Sequence, residues 1–239
     1  MTSNQEWDHE RVLRQSLECR SACNVDDRRH RRTCPNDLCA YIQLWSTHWA
    51  AYQAEEATPL TQRGVVVQSV DLPIVIDRPI DKVYDIYANV WSATGLHPFL
   101  NGIIPINHHH RDNVTTFNFI ALENITLPDG TIYQGQTVSQ QRFHDADFYY
   151  DADSYDAIAT NVPGAITHQH IVFTPISPTR TQVVEHLTFE APPSYIQEEV
   201  QGGVYAHQLV QQGLKTEIEA GEFDSTSFGQ WLEGDRSNN

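Results

Sequence analysis

Between about residues 102 and 190 the chain is a succession of strand-like runs: "GIIPINHHH", "TTFNFIALENI", "TIYQGQTVSQQRF", "FYYDADSY", "AITHQHIVFTPI" and "TQVVEHLTFEA". They are rich in β-branched and aromatic residues, and turn chemistry separates them, notably at Pro128-Asp129-Gly130 and Ser177-Pro178-Thr179. With no helical period between them, the runs connect as antiparallel hairpins, because a parallel crossover needs about a dozen residues or more. After Pro192-Pro193 the period changes. Ser194, with Gln197 three residues on, predicts a helix N-cap, and Ile196, Val200, Val204, His207, Leu214 and Ile218 fall on one helical stripe. A helix with one apolar stripe, following a sheet, packs that stripe on the sheet.

Upstream, "VVVQSVDLPIVID" (65–77) reads as a further strand. The next segment takes helical spacing, with Val83, Ile86 and Tyr87 on one side, until Asn89 to Gly95 breaks it and His97-Pro98 closes a second short turn. The domain expectation is therefore an α+β body over 65–222, preceded by a unit over 1–64 and followed by a polar tail over 223–239. In that tail Phe228, Trp231 and Leu232 are the residues able to dock.

The first unit reads as a helical hairpin. Leu13 and Leu17 suggest one short helix, while Leu38, Ile42, Trp45, Trp49 and Tyr52 follow helical spacing in a second, with Pro35 in its first turn. Residues 53–64 read as a linker. All four cysteines lie here, and an antiparallel hairpin places Cys23 opposite Cys34 and Cys19 opposite Cys39 as two nested disulfides. Reduced thiols and a four-cysteine zinc site are the competing readings, the latter without the usual CxxC spacing. Disulfides would imply maturation in an oxidising, secretory or extracellular compartment. The sequons at Asn113 and Asn124 agree with that. "RRHRR" (28–32) reads as a solvated turn beside Asp26 and Asp27.

The net charge of -16 is unevenly placed: residues 65–239 hold seven Lys/Arg against 22 Asp/Glu, and residues 1–64 eight against nine. So acidic a body repels phosphate backbones, which argues against nucleic acid as its partner. No apolar run approaches the roughly 18–20 residues of a membrane span, and the first residues lack the apolar core of an export signal. A monomer and a homodimer both fit the chain.

The order strand, two short helices, six antiparallel strands and a long C-terminal helix resembles the helix-grip fold of the START-like superfamily. That superfamily includes the Bet v 1-type proteins and the polyketide cyclase/dehydrase group. The resemblance rests on "VDLPIVIDRPIDKVYDIYANV", on "GLHPFLNGI" and on "TRTQVVEHLTFEAPP", within residues 65–222. It implies a curved sheet of about seven strands gripping the long helix around an apolar cavity. It also implies a hydrophobic ligand: a sterol, lipid, flavonoid, polyketide or hormone. The cysteine hairpin and the many histidines depart from the pattern.

Strand alternation then selects candidates. In "TQVVEHLTFE" the apolar face is Val183, Leu187 and Phe189, and Glu185 sits among them. An inward carboxylate suits a general acid or base; the competing reading pairs Glu185 with Arg142 or leaves it solvated. In "ITHQHIVF" His168 and His170 share one face and Ile171 and Phe173 the other, so the histidines line the cavity only if the latter two do not. With Glu185 they would make three ligands for a metal; the run His108-His109-His110 is a weaker set. His207 belongs to the buried stripe of the last helix. Phe117, Phe119, Tyr150, Leu187, Phe189 and Val204 are expected to line a ligand wall, with one of Tyr133 and Arg142, which lie on opposite faces of their strand.

No nucleophile elbow, P-loop or dinucleotide fingerprint occurs, so no cofactor is expected. The leading expectation is an enzyme of specialised metabolism that cyclises or dehydrates a polyketide- or terpenoid-like substrate. Glu185, His207, His168 and His170 form its catalytic pool. A non-catalytic carrier or sensor and a metal-dependent hydrolase on the same fold are the alternatives.

Overall fold

The structure, a computed structural model, describes residues 36–126, 130–158 and 162–221. The first hairpin helix, Cys19, Cys23 and Cys34, and the tail with Phe228, Trp231 and Leu232 lie outside the described residues. The disulfide pairings therefore lie there too, apart from Cys39.

Seven antiparallel strands form one curved sheet: β1 (Val66–Ile76), β2 (Leu100–Arg111), β3 (Val114–Thr126), β4 (Ile132–His144), β5 (Tyr149–Asp156), β6 (Ala165–Ser177) and β7 (Arg180–Ala191). Their order is β1-β7-β6-β5-β4-β3-β2, so the strands of the long run pair as neighbours and β1 closes onto β7. Proline chemistry fits the edges. Pro73 lies in β1 and Pro105 in β2, the two edge strands, where a missing N–H need not break the sheet; Pro105 also stands at a register shift. The β2–β3 turn is Asp112-Asn113 with φ of 51° and 65°, left-handed values that these two side chains tolerate.

Four helices complete the described fold: α1 (Asn36–Glu56), α2 (Leu60–Arg63), α3 (Ile80–Tyr87) and α4 (Ile196–Ala220). The last begins one residue later than the Ser194 cap predicts. Tyr195 occupies the N-cap position without a side-chain bond, because the carbonyl of Pro192 takes the amides of Tyr195 and Ile196 at 2.8 and 3.1 Å. Its expected stripe holds. Leu214 and Ile218 are buried with the inner face of the sheet, and Ile196, Val200 and Val204 pack against Leu187 and Phe189.

The sheet is covered on both faces. The inner face (Val183, Ile171, Phe173, Phe117, Phe143 and Tyr150) packs with α3 and α4. The outer face (Ile120, Val138, Tyr155 and Ile166) packs with Trp45, Trp49 and Tyr52 of α1, whose rings lie 5.1 and 4.4 Å apart in succession. The indole Nε1 of Trp45 also donates to the carbonyl of Ser139 at 3.3 Å. Helix α1 and the 65–222 body thus share one apolar cluster, and residues 53–56 and 60–63 of the segment between them are helical.

The two adjacent glycines of α4 have different environments. A Cβ on Gly203 would stand 2.5 Å from the ring of Phe189, which is 1 % exposed and has nowhere to go; a Cβ on Gly202 would meet nothing within 4 Å. Gly203→Ala should therefore destabilise by about 1–3 kcal/mol through overpacking. Gly202→Ala should stabilise by about 0.5–1 kcal/mol through helix propensity. Thermal denaturation of both variants checks the pair, and equal shifts would contradict this packing.

Candidate active site

The centre of the inner face is a buried carboxylate with two side-chain partners. Glu185 lies midway along β7, opposite Leu72 of β1 and Ile171 of β6, and is 1 % exposed. Tyr87, at the end of α3, donates its hydroxyl to Oε1. His207 of α4 donates from Nδ1 to Oε2 at 2.6 Å. Burial first, and then the charge of Glu185, push the Tyr87 phenol well above its ordinary range, so it stays protonated and acts as the donor. With the carboxylate oriented by Tyr87, the neutral form of His207 holds its proton on Nδ1, facing Glu185 Oε2. Its Nε2 is left as a lone-pair acceptor, without a hydrogen-bonding partner among the described residues. One turn later on α4, buried Gln211 donates to the carbonyl of Leu72 at 2.9 Å and fixes the helix to β1.

A second imidazole stands close by. His97 follows the 3-10 turn Val90–Ala93, and its Nδ1 accepts the amides of Phe99 and Leu100 at 3.3 and 3.1 Å. That fixes the opposite tautomer, with the proton on Nε2. Burial first, and then the electrostatic influence of the His207 ring, lower its pKa to about 4.

Around these groups the wall is aromatic. Phe117 and Phe119 stack at 5.1 Å, Trp91 lies 5.2 Å from Phe117, and Phe173 meets Tyr87 edge-on at 5.5 Å. Tyr150, Leu187 and Phe189 are buried on the same face, and Val204 packs beside Phe189. Towards one end the inner face turns acidic. Glu199 is raised to about 7 by burial and by the charges of Asp156 and Glu123, and both of those carboxyls are raised chiefly by burial. Tyr133 projects at this end and is 45 % exposed.

The register settles where the other predicted residues lie. Ile171 and Phe173 pair with Glu185 and Val183 on the inner face, so His168 and His170 point outward, opposite Thr188 and His186. They cannot share a metal with Glu185, from which the sheet separates them. Arg142 is outward too and pairs with Asp153 at 2.7 Å rather than with Glu185. The run His108-His109-His110 is divided as alternation requires, with only the outer two on the face of Phe117 and Thr115.

His168 instead belongs to a network under α1. Its Nδ1 meets Asp153 at 2.7 Å and its Nε2 meets Glu190 at 3.5 Å. Burial pulls its pKa down, but Asp153, Glu56 and Glu190 outweigh that and the net shift is upward. Glu56, His168 and Glu190 have ligand atoms within 4.8 Å of one another and could hold an ion. However, the guanidinium of Arg63 already bonds Glu56 at 2.5 Å and Glu190 at 2.8 Å, which supplies the positive charge those carboxylates need. His170 pairs with Asp151 at 2.7 Å and His186 with Asp71 at 2.8 Å, both largely exposed.

Sequence reading did not select Tyr87, His97 or Gln211. Tyr87 carried a signal, its place on the buried side of α3; His97 registered only as a helix terminator.

No protein-family model matches the chain. No curated protein matches it either. Solved structures do. An aromatase/cyclase from Streptomyces sp. R1128, called Zhui, is 11 % identical with a TM-score of 0.50, over 67 % of this chain and 99 % of that one. A START superfamily protein from Mycobacterium smegmatis is 10 % identical with a TM-score of 0.46, over 64 % and 97 %. Norcoclaurine synthase from Thalictrum flavum is 10 % identical with a TM-score of 0.42, over 67 % and 92 %. The chain has the START/Bet v 1 helix-grip fold.

The pKa of His97 gives a pH test. A histidine whose folded pKa is depressed contributes stability that is complete above its ordinary value of 6.5 and is lost as the pH falls towards 4. Side-chain NMR should therefore show His97 neutral, with its proton on Nε2, from pH 8 down to about pH 5. A titration midpoint above 6 would contradict its burial and its bonds to the loop.

Proposed function

We propose that this protein is a cofactor-independent enzyme of specialised metabolism. It binds a hydrophobic, polyketide- or terpenoid-like substrate against the inner face of the sheet and promotes its cyclisation or dehydration by proton transfer at His207. The observation that carries this reading is the buried Glu185, engaged by Tyr87 on one oxygen and by His207 on the other. A carboxylate in an apolar core is costly unless its oxygens are satisfied. Here that cost is offset in a way that orients one imidazole. The aromatic wall would bind and fold the substrate, and Nε2 of His207 would take and return protons. An aromatase/cyclase shares the fold, which accommodates such chemistry without specifying it.

A carrier would use the same wall but would not need the proton-transfer group, and turnover separates the two readings. The test incubates the protein with linear poly-β-ketone thioester mimics and follows cyclised or dehydrated product by mass spectrometry. His207→Ala should lower the rate by about 10²–10⁴, the usual worth of a positioned general base. Glu185→Gln, which keeps the shape but removes the charge, should lower it by a smaller factor. Ligand affinity by tryptophan fluorescence should stay within a few-fold in both. A wild type that binds these compounds and returns them unchanged, or variants with full turnover, would contradict the proposal.

A further inference from the structure

His97 and His207 hold their protons in opposite senses. His207 donates its Nδ1–H to Glu185, which leaves Nε2 bare in the neutral ring; His97 accepts two backbone amides at Nδ1 and keeps its proton on Nε2. Their elements are packed together. Leu96 is so close to Gly213 that a Cβ there would stand 2.6 Å from its Cδ2, and the ring of Phe99 lies 6.5 Å from that of Tyr205. The segment 96–99 thus lies along α4 between residues 205 and 213, the stretch that carries His207. One nitrogen able to accept a proton and one N–H able to donate a hydrogen bond are therefore brought to the same part of the inner face.

That combination fits one kind of reacting group. We infer that the substrate is a ketone with a hydrogen on the carbon beside its carbonyl, that His207 removes this α-hydrogen, and that His97 binds the carbonyl oxygen. The inference rests on the proton-transfer reading of His207 above and narrows it to a substrate class and a second catalytic residue. In the step, the lone pair of Nε2 of His207 takes the α-proton. The C–H pair becomes the C=C bond of an enolate, and the carbonyl π pair moves to the oxygen. The developing oxyanion is met by the Nε2–H of His97, a neutral donor that need not lose its proton to be effective. The enolate carbon then either regains the proton from His207 or attacks a second carbonyl carbon of the same chain, whose oxygen takes the proton instead. No oxidant, metal or co-reactant is needed for either outcome.

His97 stays neutral through the physiological range because it is buried and adjoins His207. That matters for the role. A charged imidazolium would lose its proton to the enolate oxygen, and it would also repel the positive charge that His207 acquires.

The experiment uses 2-undecanone in deuterated buffer, with exchange at the α-carbons read by mass spectrometry and binding by tryptophan fluorescence. The wild-type protein should accelerate deuteration well above the buffer rate, and His207→Ala should abolish the acceleration. His97→Asn is the informative variant. Its side-chain oxygen can still accept the amides of Phe99 and Leu100, so the loop is kept, but the distal N–H is gone. It should lose about 10²–10³ of the acceleration, the usual effect of removing one oxyanion donor, with ketone binding within a few-fold. Deuteration at the buffer rate while the ketone is bound, or full acceleration in His97→Asn, would overturn the inference. The cyclisation assay of the previous section tests the broader reading separately. Turnover that depends on His207 but not on His97 would leave that reading standing and remove this one.

Discussion

The carboxylate of Glu185 ties the inner half of the molecule together. It sits in the centre strand of the β1–β7–β6 group, and its two oxygens are claimed by α3 through Tyr87 and by α4 through His207. Removing either partner would leave a buried charge short of a bond, which costs several kcal/mol. So the angle of the long helix to the sheet, the position of the short helix and the tautomer of one histidine are linked through one residue. The secondary bonds follow the same lines: Gln211 holds α4 to β1, and Gln141 of β4 donates to the carbonyl of Ala88 at the end of α3.

The outer face is arranged on a different principle. There α1 supplies three aromatic rings to cover Ile120, Val138 and Ile166, and charges gather at the margin of that contact. Arg63, with a side chain only 7 % exposed, joins Glu56 to Glu190, and His168 joins Glu190 to Asp153. These groups anchor the short segment after α1 to the ends of β6 and β7. The sheet thereby separates the ion-paired imidazoles His168, His170 and His186 on its outer face from His97 and His207 on the side of α4.

Much of this was legible in the sequence because period and punctuation agreed. The six runs from 102 to 190 became six strands, and the stripe from Ile196 to Ile218 is the buried side of α4. Glu185 and His207 were visible for the same reason, each a polar residue inside an otherwise apolar face. The face of His168 and His170 was not, since both faces of β6 carry bulky β-formers; the pairing of Ile171 with Glu185 decides it. Nor was the burial around His168, which depends on α1, more than a hundred residues away in sequence. Tyr87 and His97 escaped because each reads locally as structure, one as packing and one as a stop signal. Their roles appear only when α4 is laid across them.

The central claim is that Glu185 and Tyr87 hold His207 with its proton on Nδ1 and its Nε2 bare toward the inner face. The most direct measurement is ¹⁵N–¹H NMR of the neutral form of the His207 side chain. The account predicts a protonated Nδ1 in a slowly exchanging hydrogen bond, an unprotonated Nε2, and loss of that signal in Glu185→Ala. A neutral His207 with its proton on Nε2, or a spectrum that does not respond to Glu185→Ala, would contradict it.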